Sequence, residues 1–478
     1  MPVQKPREIA AQVLRQREKA ADYVENLLET SLPVLSPADR RLCQELVYGA
    51  VRWQRTLDWL IARKTDGRAQ TAALQILLRL GLYQMFWLDR IPDHAAVHET
   101  VALARHLGFG PQSGFINALL RGFAREREET RRLLEELQTS QPALAFSHPD
   151  WLCGRWQKRW GAENLRLLLQ WNNTPPKNFA RLNSLRADAG KLLAQWRDEG
   201  VEYDFPRRDW FEENLVFELK AHPPLAELPS FRQGLFYVQD PSTLLAVREL
   251  DPRPGETVLD LCAAPGGKTT YIAQLMQDRG RLVAQDLNRI RLQRVRENCD
   301  RMGVTCVETT VLGEGARKLA CPGPRVRGTG ESVSASRRNG PGPIRQATAV
   351  AVASPWGEGQ GEGTFDRVLV DAPCSNTGVM RRRVDLRWRI RPEEIDRLRS
   401  RQLQLLHDAA RQIRPGGTLV YSTCSLEPEE NGEVMKEFLA NHPGFKLESE
   451  RELLPFADGV DGAYVARMTL RGSQTARA

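Results

Sequence analysis

The stretch VLDLCAAPGGKTT, Val258 to Thr270, decides the fold of the C-terminal half of the chain. A short apolar strand, Val258 to Leu261, runs into a turn of small residues and then into a helical stretch, Thr269 to Asp278. That succession is the strand–turn–helix corner of a doubly wound α/β sheet. The stretch also ends in Gly-Lys-Thr, the letters that close a nucleotide phosphate loop. Such a loop needs a glycine five residues before its Gly-Lys pair, so that backbone amides can wrap the phosphates. Cys262 stands there, and Pro265 removes a further amide. ATP and GTP are therefore excluded at this corner.

Gly266 and Gly267 still let the backbone approach a ligand closely. Asp286 follows the next strand, Arg281 to Ala284, and lies 19 residues beyond Gly267. That spacing suits a carboxylate accepting from both hydroxyls of a ribose. The GxGxxG pattern of a nicotinamide dinucleotide site is absent. S-adenosylmethionine carries no phosphate and does not need that pattern.

Two further strands, Asp366 to Val370 and Gly417 to Tyr421, alternate with helical stretches such as Glu394 to Arg411. The alternation predicts a mostly parallel sheet whose ligands sit at the carboxyl ends of its strands. Asp371 and Cys374 lie just past the first of these strands in DAPCS, and Cys424 just past the second in TCS. Both thiols are thus expected on the edge where the glycine turn opens. A thiolate that adds to C6 of cytosine makes C5 nucleophilic, dividing one hard step into two easier ones. Asp371 is placed to act as an acid near cytosine N3 and would need to be protonated at least transiently. A positive field must raise the thiolate fraction, and the sequence does not identify its source. RRRVDLRWRIR, Arg381 to Arg391, follows the Cys374 loop with six arginines. Arg381, Arg382, Arg383 and Arg387 are expected to hold RNA phosphates and Trp388 to stack on a base.

The rest of the chain bounds the class. Its 478 residues carry 68 Lys plus Arg against 60 Asp plus Glu, a mild surplus compatible with a nucleic-acid partner. Eight scattered cysteines with no CxxC pair argue against zinc or a disulfide framework and for a reducing cytosol. The N-terminus lacks an apolar signal core, and the run Ala72 to Leu88, interrupted by Gln75, Arg79 and Gln84, is too short to cross a bilayer. A soluble cytoplasmic monomer with no metal and no membrane contact is expected. Residues 1–135 read as an all-α domain, with Ser36 capping a helix that starts at Pro37 and Asp93 capping another. Residues 136–235 read as linker helices and a small α+β subdomain, including a strand at Asn178 to Leu182 and a helix at Ala187 to Asp198. Residues 236–478 form the α/β domain. Within it, 18 of the 43 residues from Cys321 to Gly363 are Gly, Pro or Ser, the composition of a disordered insertion.

Taken together, these stretches resemble the RNA cytosine-C5 methyltransferases, most closely the bacterial 16S rRNA (cytosine-C5) methyltransferase B family, also called Sun or Fmu. CAAPGGK, DAPCS and TCS carry the resemblance; YVQDPSTLLAV, Tyr237 to Val247, resembles the entry to the catalytic domain. The N-terminal helices resemble the NusB-like RNA-binding domain of that branch. DNA cytosine methyltransferases rely on one Pro-Cys motif, so two loop cysteines point to RNA. The resemblance implies a Rossmann-like domain with S-adenosylmethionine as cofactor and 16S rRNA as partner. It implies Cys424 as nucleophile, Cys374 in product release, and Asp371 bordering cofactor and cytosine. Cys262, Ala263, Ala264, Pro265, Gly266, Gly267, Lys268 and Asp286 would bind the cofactor. Where the family has Gly-Asp, this chain has Gly313-Glu314, so Glu314 is expected at the adenine. Where it has His-Pro, this chain has Arg383-Val384, and the Cys321–Gly363 insertion is longer than the family connection. A tRNA methyltransferase is the alternative within the same chemistry. A noncatalytic NusB-type RNA-binding factor is the alternative outside it, and the two cysteines argue against it.

Overall fold

A computed structural model describes residues 5–19, 22–312 and 364–472. Glu314, Arg317 to Ala320 and the 321–363 insertion lie outside the described residues.

The N-terminal part is a helical bundle: α1 (Lys5–Lys19), α2 (Val24–Ser31), α3 (Pro37–Arg52), α4 (Gln54–Lys64), α5 (Ala72–Trp87), α6 (Asp93–His106), α7 (Ser113–Arg125) and α8 (Arg127–Ser140). The apolar run of Ala72 to Leu88 is α5, with Leu77, Leu78, Leu80, Leu82 and Met85 buried. Each such side chain contributes about 1.5–3 kcal/mol on leaving water, which is why so apolar a helix occupies the middle of the bundle. No described helix is long and apolar enough to cross a membrane. Ser36 caps α3 as expected, accepting from the Asp39 amide at 3.3 Å with Pro37 in the first turn. Asp93 does not cap α6: Pro92 holds that position, and Asp93 sits inside the first turn paired with Arg127.

A short helix, α9 (Pro142–Ala145), and the long α10 (Asp150–Asn173) lead to a small sheet. Strands β1 (Asn178–Leu182), β2 (Glu202–Asp204), β3 (Val216–Ala221) and β4 (Phe236–Val238) pair antiparallel in the order β2-β3-β1-β4. The fourth strand therefore lies just past residue 235, where the sequence reading begins the last domain. Helix α11 (Ala189–Glu199) covers this sheet through Trp196, whose ring meets Phe217 and Phe236 edge-on at 5.3 Å. Helices α12 (Pro229–Arg232) and α13 (Ser242–Leu250) flank the passage into the catalytic half.

There the strands are β5 (Thr257–Leu261), β6 (Arg281–Asp286), β7 (Val307–Val311), β8 (Phe365–Asp371), β9 (Ile413–Thr423), β10 (Phe445–Leu453) and β11 (Ala463–Leu470). They form one sheet of order β10-β11-β9-β8-β5-β6-β7. The five strands from β9 to β7 are parallel, β11 adds antiparallel to β9, and β10 adds antiparallel to β11. Helices α14 (Gly267–Leu275), α15 (Arg289–Met302), α16 (Leu386–Arg389), α17 (Pro392–Ala410), α18 (Gly432–Asn441) and α19 (Pro455–Asp458) accompany these strands. The inner strands β5, β6 and β8 are buried, as a parallel sheet covered on both faces requires.

The segment from Arg381 to Arg391 corrects a sequence expectation. Arg381 is buried, donating to Asp461 at 2.6 Å and to Asp240 at 3.2 Å, with its guanidinium 4.0 Å from the Trp171 ring. Arg382 pairs with the same two carboxylates. Arg387 is buried and donates to the carbonyls of Arg52, Ser147 and Asn172 and to the Asn173 side chain. Trp388 donates from Nε1 to the Val51 carbonyl at 2.8 Å and packs against the N-terminal core. These four groups have protein partners in the structure, and of the five expected contacts only Arg383 is exposed. The physical reason lies in the helix ends. α3 and α10 finish at Arg52 and Asn173, where the last carbonyls lack intrahelical donors and carry negative partial charge, so a buried arginine satisfies both at once. Asp385 does the converse, accepting from the first amide of α2, Val24, at 2.7 Å and from Arg17. Composition announces the charges, but not that they face helix termini.

Replacing Asp385 by alanine removes the ion-pair partner of Arg17, which keeps only its bond to Gln54, and leaves the α2 terminus unpaired. Loss of one member of a buried pair costs about 3–5 kcal/mol, so the urea midpoint of Asp385→Ala should fall accordingly. An unchanged midpoint would remove this tie from the account.

Candidate active site

Four loops meet at the carboxyl edge of β6, β5, β8 and β9. Parallel pairing aligns Leu261 with Val370 and Asp371 with Ser422. The residues following these positions, Cys262 to Lys268, Cys374 and Cys424, leave the sheet together. Asp286 ends β6 beside them.

The glycine turn is tight. Gly266 has φ of +104°, and a Cβ there would come within 3.2 Å of the Val295 Cα. Only glycine takes that conformation without strain. Asp286 is buried, accepting from the Asn288 amide at 3.0 Å and the Ala264 amide at 3.4 Å, with Arg291 at 3.4 Å. Behind the turn, Asp260 accepts from the Thr269 hydroxyl at 2.6 Å, while its other oxygen and both atoms of the Gln285 amide lack protein partners. Burial pushes Asp260 up to about 7. Burial likewise pushes the Cys262 thiol up to about 12, so it is no nucleophile at neutral pH. A small-residue turn with a carboxylate one strand away and unsatisfied polar atoms at its back fits an adenosyl ligand without phosphates.

Lys268 points to the chemistry. Its Nζ donates to Asp371 Oδ2 at 2.7 Å, while Ser422 donates to Asp371 Oδ1 at 2.9 Å. Burial opposes the charge on Lys268, but the Asp371 carboxylate and then Cys424 more than offset this, so the ammonium is held above its usual range. A cation is thus fixed within electrostatic reach of Cys424. Their sulfurs are 3.3 Å apart. Cys424 donates its thiol to Asn376 Oδ1 at 3.0 Å and its amide to Cys374 Sγ at 3.3 Å. Hydrogen bonding to Cys424, burial and the nearby Glu430 charge hold Cys374 well above the usual thiol range. Cys374 is buried, whereas Cys424 is partly open. The pair is therefore asymmetric, one held as a thiol and one accessible. Gly378 allows the two loops to touch, since a Cβ there would lie 2.8 Å from the Cys424 carbonyl and 2.7 Å from that of Gly462.

The structure thus brings Cys262, Ala263, Ala264, Pro265, Gly266, Gly267, Lys268, Asp286, Asp371, Cys374 and Cys424 to one edge. Sequence reading missed several partners. Asn376 could have been noticed beside Cys374, being an asparagine in the left-handed region at φ of +59°. Arg181, on β1, had no local signal. It is fully buried and donates to the Gly267 carbonyl and the Thr270 hydroxyl, each at 2.9 Å, holding the first turn of α14. Burial lowers its guanidinium to about 10.

Comparison with known proteins agrees with this geometry. The chain matches the family model of the 16S rRNA methyltransferase RsmB/F over residues 247–321 and 349–469. It matches the NusB family over 4–125 and the RsmF/B-like ferredoxin-like domain over 148–217. A protein named probable ribosomal RNA small subunit methyltransferase B from Bacillus subtilis is 33% identical, covering 98% of this chain and 99% of that one. The chain belongs to this family. A ribosomal RNA small subunit methyltransferase B from Shigella sonnei is 34% identical over 97% of this chain and 98% of its own. A solved methyltransferase homolog from Pyrococcus horikoshii superposes with a TM-score of 0.53 at 26% identity, over 68% of this chain and 97% of that one. As a family member the chain is a methyltransferase that uses S-adenosylmethionine, with a NusB domain, a ferredoxin-like subdomain and a mostly parallel catalytic sheet.

If Lys268 supplies the field for Cys424, Lys268→Met should slow alkylation of Cys424 by iodoacetamide at pH 7 several-fold. An equal rate in the two proteins, followed by peptide mass analysis, would assign that field elsewhere.

Proposed function

We propose that the protein methylates C5 of a cytosine in 16S rRNA through a covalent adduct with Cys424. The observation that carries this reading is the 3.3 Å thiol pair set beside the Lys268–Asp371 ion pair. The cofactor is held by the turn Cys262 to Lys268 and by Asp286, which accepts from the ribose. When bound, S-adenosylmethionine supplies an electrophilic methyl group. The Cys424 thiolate adds to C6, the C5=C6 pair moves toward C5, and N3 takes a proton from Asp371. That proton reaches Asp371 from Lys268, which donates to the same carboxylate at 2.7 Å. C5 then takes the methyl, leaving S-adenosylhomocysteine. Loss of the C5 proton to solvent restores the double bond and expels the Cys424 sulfur as a thiolate, to which the Cys374 thiol donates a hydrogen bond, and N3 returns its proton to Asp371 and so to Lys268. Two features favour Cys424 as nucleophile: its partial exposure and the protonated state imposed on Cys374.

Because Arg381 and Arg382 pair with Asp240 and Asp461, and Arg387 and Trp388 with helix-end carbonyls, a second cationic surface is a candidate for the RNA backbone. A cleft of about 1160 Å³ between α6 and α7 is lined by Arg105, Arg121, Arg125, His94, His98 and Asn117. Arg121 and Arg125 lie one turn apart, are exposed, and have no ion pair or hydrogen bond among the described residues. Of the two acids in the cleft, Asp93 is already paired with Arg127, leaving Asp89. We assign this cleft to the phosphate backbone of the substrate.

Purified protein with S-adenosylmethionine and either 16S rRNA or a tRNA pool, followed by bisulfite sequencing, should show one new protected cytosine in the rRNA. Protection in tRNA alone would favour the tRNA reading, and none in either would defeat both. Cys424→Ala should abolish methylation, while Cys374→Ala should leave protein covalently linked to RNA. Trapping that adduct with Cys424→Ala would reverse the roles.

For the cleft, the double substitution Arg121→Ala with Arg125→Ala should weaken RNA binding. The slope of log affinity against log salt should fall by roughly 0.7–0.9 per arginine. An unchanged slope would place the backbone contacts elsewhere.

A further inference from the structure

Glu430 lies in a short turn, Pro428–Glu430, after the second cysteine loop, and is fully buried. Its Oε1 accepts from the Ser375 amide at 2.8 Å and from Gln402 Nε2 at 3.0 Å. Its Oε2 accepts from the hydroxyls of Ser375 and Ser425. Those two hydroxyls are themselves 3.0 Å apart. Ser375 follows Cys374 and Ser425 follows Cys424, so one carboxylate reaches the residue beside each thiol.

No cation pairs with Glu430 among the described residues. Burial raises its pKa, and the donated hydrogen bonds act against that shift. A buried carboxylate without a counter-ion is a costly way to fill space, which an apolar side chain would do better. What an apolar residue cannot do is accept from both loops together. The neighbouring Asn431 extends the arrangement, accepting from Thr423 at 2.6 Å and donating to the Ser425 carbonyl at 2.9 Å. Through Gln402, which also donates to the Pro373 carbonyl at 3.0 Å, the clamp reaches α17.

We propose that Glu430 is a positioning residue that clamps the two cysteine loops, keeping the Cys374 thiol within hydrogen-bonding reach of Cys424 for the release half of the reaction. This rests on the covalent mechanism proposed above, but the geometric part can be read without any substrate. Diamide, a diazene oxidant, converts two adjacent thiols to a disulfide; both sulfurs lose their protons and form an S–S bond, while the N=N bond is reduced to a hydrazine. The rate at which the Cys374 and Cys424 peptides become linked therefore measures how closely the loops hold the sulfurs.

In the full-length protein, Glu430→Ala should slow this cross-link at least tenfold. Glu430→Gln, close in size but lacking one acceptor, should slow it less. In turnover with 16S rRNA, kcat should fall in both variants while KM for RNA and for S-adenosylmethionine stays within twofold, and covalent protein–RNA adduct should accumulate. Native cross-linking rates in both variants would overturn the clamp, and so would slowed cross-linking with unchanged kcat. If Glu430→Ala does not fold, Glu430→Gln decides alone on the same two readouts. Should the wild-type protein fail to methylate any RNA, the reaction proposed above fails, while the cross-linking rates still decide the clamp.

Discussion

The site depends on the parallel hydrogen-bond ladder joining β6, β5, β8 and β9. In a parallel sheet every strand ends on the same edge, so loops distant in sequence leave side by side. Here that register sets Asp371 opposite Ser422, and the serine hydroxyl bonds the aspartate directly. Three residues beyond one and two beyond the other, the sulfurs meet at 3.3 Å. A register slip of one residue would turn Asp371 to the opposite face and part it from Lys268 and Ser422 together. The ladder is secured by strands buried on both faces, whose side chains cannot be exposed without losing their burial energy.

Much of this was legible in the sequence because buried strands and small-residue turns obey local rules. The strand Asn178–Leu182 and the cores of β5, β6, β8 and β9 follow from apolar runs bounded by turns. The thiol loops follow from where those runs stop. What stayed hidden depends on partners far along the chain. Lys268 reads as a lining residue until Asp371, 103 positions later, is seen to meet it. Glu430 sits in an unremarkable acidic turn until Ser375, 55 positions earlier, is brought beside it. The partners of the arginine run were hidden for the same reason: local composition registers the positive charge, while Asp240 and Asp461, which pair with Arg381 and Arg382, and the helix ends at residues 52 and 173, which meet Arg387, lie far along the chain. Asp93 failed more simply, since Pro92 supplies the extended cap conformation one residue earlier.

The corrected arginine segment changes how the three parts of the molecule relate. It leaves the Cys374 loop and at once enters other domains' cores, with Val384 and Trp388 in that of the N-terminal bundle and Leu386 and Ile390 in that of the linker helices. Asp385 and Arg387 close the termini of α2, α3 and α10 from the same segment. Their charges are buried at a cost in desolvation, which the hydrogen bonds to helix ends offset only if the geometry is met closely. Such a tie gives the NusB domain a defined place relative to the thiols.

Two sulfurs this close would be a liability if both ionised, since adjacent like charges repel. The surroundings separate them. Cys374 is buried, bonded to its neighbour and exposed to the Glu430 charge, all of which keep its proton in place. Cys424 is more open and has the Lys268 ammonium as an electrostatic partner. The same carboxylate that holds the loops together through Ser375 and Ser425 also keeps Cys374 neutral. The position of both loops thus rests on this buried group, whereas the protonation of Cys374 rests first on its bond to Cys424 and on burial.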